Sequence, residues 1–101
     1  MTYFAVLATD RPGKAALRTE TREAHRRHLR APEGNAVSVR FGGPTLTDDG
    51  RRMNGTLLII EAEDINAVRA FVSDDPYVRA DLFERIDIRP WQWSLGNPDM
   101  P

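Results

Sequence analysis

Lys14 to Arg30 reads KAALRTETREAHRRHLR, a stretch without proline or glycine, made chiefly of the good helix formers Ala, Leu, Arg and Glu. Within it Leu17, Thr21, Ala24, His25, His28 and Leu29 recur at three- and four-residue spacings and so share one face. Arg22, Arg26, Arg27 and Arg30 fall largely on the others. The pattern predicts an amphipathic helix that turns both histidines toward a sheet. Immediately before it, Tyr3 to Thr9 is a short apolar run of strand formers closed by Asp10, Pro12 and Gly13. Being apolar at successive positions, it reads as a central strand.

Downstream, Pro32 and Gly34 end the helix, and Asn35 to Phe41 alternates loosely as a second strand that breaks at Gly42-Gly43-Pro44. Thr45 to Asn54 has the composition of a polar hairpin loop, and Gly55 to Glu61 (GTLLIIE) is a third strand. Asp64 stands where an N-cap is expected, and Ile65, Val68, Ala70, Phe71 and Val72 give a short second helix to Ser73. Asp74-Asp75-Pro76-Tyr77 interrupts it, Val78 to Leu82 adds a helical turn, and Phe83 to Trp93 alternates as a last strand that Pro90 weakens. This gives one domain over residues 1–96 and a frayed tail over 97–101. The order strand, helix, strand, strand, helix, strand is the α+β, ferredoxin-like arrangement with an antiparallel sheet and both helices on one face. The other face needs a cover that this chain does not supply. A face-to-face homodimer closing two sheets into a barrel answers that need.

Composition narrows the function classes. Fourteen Lys and Arg face fifteen Asp and Glu, so no global field draws a polyanion or an anionic membrane, and neither nucleic acid nor membrane is expected as a partner. Arginine favours planar, bidentate contact with anions, but the plain reading of the arginines at 22, 26, 27 and 30, preferred to anion binding, is a solvated helix face paired with Glu20 and Glu23. With no cysteine, disulfides, thiolate metal sites and cysteine nucleophiles are excluded. No signal-peptide or bilayer-length apolar stretch is present, which makes a cytoplasmic location the expectation.

Several segments, in order and nearly end to end, resemble the YciI-like (YCII-related) family. They are Arg22-Glu23-Ala24-His25 followed by Leu29, Gly42-Gly43-Pro44, Gly55 with its apolar strand, Asp74-Asp75-Pro76-Tyr77, and the closing Ile88-Arg89-Pro90-Trp91. The polar helix end Arg30-Ala31-Pro32-Glu33-Gly34 departs from the family's pattern. The resemblance implies a dimeric α+β barrel and, in the wider superfamily, lyases, isomerases and monooxygenases, including a dehydrochlorinase of chlorinated aromatics; fold alone does not select among them.

By the same resemblance, His25 and Asp75 form the candidate catalytic dyad. A carboxylate on one imidazole nitrogen fixes the tautomer and leaves the other nitrogen as a base. Without the resemblance, His25 reads equally as a satisfied core residue, and Asp75 before Pro76 as a turn or helix cap. Gly43, beside Gly42, is a candidate for bringing backbone N–H groups to a ligand, and Tyr77 for lining a wall against a flat substrate, as is Trp91. His28 reads as structural and Asp74 as solvated. His25-x-x-His28 lacks a convincing third ligand, so neither metal nor cofactor is expected. Two functions stay open: a cofactor-independent lyase or isomerase acting on a small cyclic or aromatic carbonyl or phenol, and a noncatalytic module that binds a small molecule.

Overall fold

The computed structural model describes residues 2–30 and 36–99. The elements are β1 (Thr2–Asp10), α1 (Ala15–Arg30), β2 (Val37–Leu46), β3 (Met53–Ala62), α2 (Ile65–Ser73), α3 (Pro76–Arg79) and β4 (Phe83–Trp91). All neighbouring strands pair antiparallel in the order β2-β3-β1-β4, so β1 is central and the ferredoxin-like α+β topology is in place. The expected helix end at Pro32 and Gly34, the strand start at Asn35 and the last two residues of the tail lie outside the described residues. Among the described residues no helix is long and apolar enough to cross a membrane.

Alternation along the strands decides which side chains make the core. Phe4, Val6 and Ala8 of β1 and Leu58, Ile60 and Ala62 of β3 are buried on the helix-bearing face, where Val68, Phe71 and Val72 of α2 pack on them. A second cluster of Ala8, Tyr77, Leu82 and Phe83 forms under α3. The opposite face keeps Leu7 and Leu57, Cα partners across the β1–β3 ladder, 45% and 44% exposed.

Strand β2 is longer than its sequence suggests, and Gly42-Gly43-Pro44 does not end it. As an edge strand it tolerates a proline, whose missing N–H costs the ladder nothing on its unpaired side. Register shifts between Val39 and Phe41, so Arg40 is a bulge. One extra residue reverses the alternation beyond it. Val39 stands opposite Ile60, on the core side, but past the bulge that side is occupied by Gly42 opposite Leu58 and Pro44 opposite Thr56. Small or short residues therefore floor this corner of the sheet. The hairpin turn contracts to Thr47–Arg52, closed by Thr47 N–H to the Arg52 carbonyl (2.8 Å) and by Gly50 at φ 73°.

The last strand ends at Trp91, short of the expected Trp93, because Trp93 leaves the ladder for an aromatic cluster. Its ring meets Tyr3 and Phe41 edge-on, with centroids 5.5 and 5.2 Å away, and stacks on Trp91. Asp64 caps α2 as expected, accepting from Ala67 N–H at 2.9 Å.

Two glycines separate packing from permissiveness. A Cβ on Gly55 would sit 2.3 Å from the Ala8 carbonyl oxygen and 2.5 Å from Thr45 Oγ1, whereas one on Gly43 would meet nothing within 4 Å. Gly55→Ala should cost about 1–3 kcal/mol by forcing two strands apart, seen as a melting temperature lower by roughly 4–8 °C per kcal/mol. Gly43→Ala should stay within about 0.5 kcal/mol of wild type. Thermal unfolding followed by circular dichroism checks both.

Candidate functional site

The buried positions of α1 are Arg18 and His25, 4% and 7% exposed. Polar groups withdrawn from water must be bonded, and each of these has found a partner from another element. Arg18 reaches back to the end of β1, where Nε and Nη2 donate to the two Asp10 carboxylate oxygens, both at 2.7 Å. Nη2 also donates to the Gly55 carbonyl (2.9 Å) and Thr56 Oγ1 (3.0 Å) on β3. Burial pulls the guanidinium's pKa down, but the hydrogen bond and charge of Asp10 outweigh it and hold the value above the ordinary arginine range. Arg18 is thus a fixed cation.

Seven residues along the helix, His25 Nδ1 lies 2.8 and 2.9 Å from the two Asp75 oxygens, with both side chains buried. An ionised carboxylate only accepts, so Nδ1 carries a proton, and in the neutral ring Nε2 is the nitrogen left with the lone pair. Asp75 is itself held by the chain around it. It is the N-cap of α3, extended at φ −62° and ψ 129° as the residue before Pro76 must be, and its Oδ1 accepts from Tyr77 N–H at 2.9 Å. The interruption at Asp74-Asp75-Pro76-Tyr77 is therefore the start of a helical turn that aims a carboxylate at α1.

Tyr77 completes the support. The His25 ring stacks on it with centroids 4.0 Å apart, Arg18 lies 4.7 Å from its centroid as a cation–π partner, and Phe83 meets it edge-on. Burial raises the phenol's pKa, and Arg18 and Arg22 only partly counter this, so it stays protonated. The ring is 1% exposed and lines a cleft beside His25, where it is also the platform on which the imidazole rests.

His25 borders a cleft of about 490 Å³ between α1 and the β2 edge. Gly42, Gly43, Pro44 and Thr56 line its sheet side, and Arg22, Arg26 and Leu29 its helix side. Gly43 thus stands at the cleft. His28 does not; its Nε2–H donates to the Phe71 carbonyl at 2.8 Å and its ring stacks on Phe71, a structural role. Asp74 is exposed and pairs with Arg79 at 2.9 Å. Trp91 belongs to the aromatic cluster with Tyr3 and Trp93, away from the cleft lining.

The arginines of α1 do not form one uniformly solvated face. Arg26 pairs with exposed Glu23 at 3.3 Å as a solvated helix face would, but Arg22 is half-buried and lines the cleft. Arg18 was invisible as a site residue. Its one signal was spacing: Arg18, Arg22, His25 and Leu29 are four, three and four residues apart, a stripe of its own.

The sequence profile of the YCII-related domain matches residues 2–92. The chain is 27% identical over 96 residues to protein YciI of Escherichia coli, covering 88% of this chain and 95% of that one. It is 23% identical over 94 residues to an uncharacterised protein of Haemophilus influenzae, covering 89% and 96%. Among solved structures it is similar to the 5-chloro-2-hydroxyhydroquinone dehydrochlorinase TftG of Burkholderia phenoliruptrix in complex with 2,5-dihydroxybenzoquinone. The TM-score is 0.76 at 33% identity, over 89% of this chain and 93% of that one.

The Arg18–Asp10 pair makes a stability prediction. Arg18→Met strands a buried carboxylate and should cost about 3–5 kcal/mol, whereas joining it to Asp10→Leu should recover most of that loss. Urea titration of the single and double variants reads the difference.

Proposed function

The chain belongs to the YCII-related family, and from that premise and the geometry of the cleft we propose that it is a cofactor-independent lyase of small hydroxylated rings, with His25 as general base and Asp75 as the residue that orients it. The observation that carries this reading is the buried 2.8 Å contact between His25 Nδ1 and Asp75, on an imidazole that borders a cleft of ligand size. The likeness to TftG, a dehydrochlorinase, supplies the reaction class.

The chemistry balances with one base. His25 Nε2 takes a ring hydroxyl proton and returns it to the ring carbon that bears the leaving group, which becomes tetrahedral. A second hydroxyl proton is then removed as its C–O bond becomes C=O, and the leaving group departs with its electron pair. The sum is loss of HX, with the ring oxidised at oxygen at the expense of the carbon–halogen bond and no external oxidant. The first half alone is a keto–enol isomerisation. Asp75 stabilises the imidazolium formed at each proton transfer without taking the proton itself. Gly43, open on its Cα, supplies close backbone approach at the cleft, and Tyr77 holds the imidazole plane.

In this reading the protein works as a homodimer. The half-exposed Leu7 and Leu57 lie on the sheet face that, among the described residues, no helix covers, and a second copy would bury them. Light scattering across a dilution series should give twice the chain mass, and Leu57→Arg should shift the mass toward one chain; a monomer throughout refutes this part.

The catalytic test uses chloride release from a chlorinated hydroxyhydroquinone. His25→Gln and Asp75→Asn should each lower the rate by about 10²–10⁴. Asn still caps α3, so Asp75→Asn should stay folded and lose no more than the about 1.5–3 kcal/mol of a charge-assisted bond. Wild-type protein that binds the ring compound without releasing chloride would instead favour a noncatalytic binding module.

A further inference from the structure

The cleft beside His25 is lined by five arginines, at 18, 22, 26, 30 and 40, and among its described lining residues there is no Asp or Glu. The chain as a whole carries a net charge of −1, so this concentration of one sign is local. Three of the five are committed elsewhere: Arg18 to Asp10, Arg26 to Glu23 and Arg40 to Glu61 at 3.0 Å. Arg22 is different. It is half-buried, makes no ion pair among the described residues, and its contacts are uncharged: Nη2 lies 3.6 Å from Met53 Sδ, and its cation acts on the Tyr77 hydroxyl. A guanidinium partly withdrawn from water without a carboxylate is a poor structural element and a ready anion receptor.

We infer that this site holds its ring as an anion, both after His25 has ionised a hydroxyl and as the hydroxyquinone product, with Arg22 as the anchor for a delocalised oxyanion on the ring edge remote from His25. The inference rests on the functional reading above and names the charge state in which that site binds its ring. Arg22 and His25 are three residues apart on one helix face and both line the cleft, so a single ring in it can meet both side chains. A hydroxyquinone, the product of HX loss from a hydroxyhydroquinone, is a vinylogous acid whose charge is shared by two oxygens, as in a carboxylate, and a planar guanidinium meets either with paired N–H donors. The remaining arginines add a positive field at the mouth that favours such anions over neutral rings. The anchor would also stabilise the negative charge that develops on the ring when His25 removes a hydroxyl proton.

Isothermal titration of the full chain with three probes tests this: 2,5-dihydroxybenzoquinone, 2,5-dihydroxybenzoate and hydroquinone. Wild type should bind at least one of the two anions about tenfold or more tightly than neutral hydroquinone, the weight of a charge-assisted bond. The dihydroxybenzoquinone arm answers for a vinylogous oxyanion and the benzoate arm for a ring carboxylate. Arg22→Gln should bring the anions to within about threefold of hydroquinone and leave hydroquinone itself unchanged, while Arg22→Lys keeps part of the preference and added salt erodes it. Preference that survives Arg22→Gln, hydroquinone bound as tightly as the anions, or no binding of any probe at millimolar concentration overturns the proposal. His25→Gln is titrated alongside. If it keeps the anion preference while no protein form releases chloride, the anchor stands and only the catalytic reading has failed.

Discussion

A helix that packs on a sheet ordinarily turns apolar residues inward, but the buried positions of α1 are an arginine and a histidine. The constraint that withdrawn polar groups be bonded therefore governs how this helix docks. Arg18 is tied to Asp10 at the end of β1 and to Gly55 and Thr56 on β3, and His25 to Asp75 ahead of α3. These two attachments, both with well-formed geometry, fix the helix in translation and rotation in a way that an apolar stripe does not. Every buried side-chain nitrogen and oxygen among the described residues has a partner, so the arrangement is closed and the site is part of what holds the fold together.

The same economy runs through the neighbouring elements. Asp75 caps α3 with the oxygen it also presents to His25, Tyr77 is at once a core residue and the surface on which the imidazole and guanidinium rest, and Gly55 lets β1 approach while its carbonyl receives Arg18. The bulge at Arg40 puts Gly42 and Pro44, instead of larger side chains, beneath α1. That is the reason a cleft exists beside His25 in so small a domain. Structural roles and the proposed chemical ones fall on the same residues here because 101 residues leave few positions free to serve only one.

Much of the fold was legible because it is written in periodicity. The apolar run at Tyr3–Thr9, the uninterrupted helix from Lys14 and the cap at Asp64 each carry a local signal, and their order specifies the topology. The bulge was not legible, since a shift of register is a relation between two strands and β2 shows only a loose alternation that reverses at Arg40. Trp93 keeps the period of β4, but its ring finds better contacts off the ladder. Periodicity placed His25 on the buried face and nothing local joined it to Asp75, fifty residues away; only the family resemblance paired them. Arg18 escaped notice because burial of a charge depends on a distant partner, and composition counts arginine as surface.

The proposed proton transfers require one tautomer of His25: Nδ1 protonated against Asp75, Nε2 bare at the cleft. Nitrogen-15 NMR of histidine-labelled protein reads this directly. The predicted spectrum at neutral pH has a pyridine-like Nε2 and a protonated Nδ1 for His25, with the pattern lost or mixed in Asp75→Asn, and Nε2 shifting when 2,5-dihydroxybenzoquinone is added. A wild-type His25 protonated on Nε2, or one whose nitrogens do not respond to Asp75→Asn and to the ligand, would contradict it.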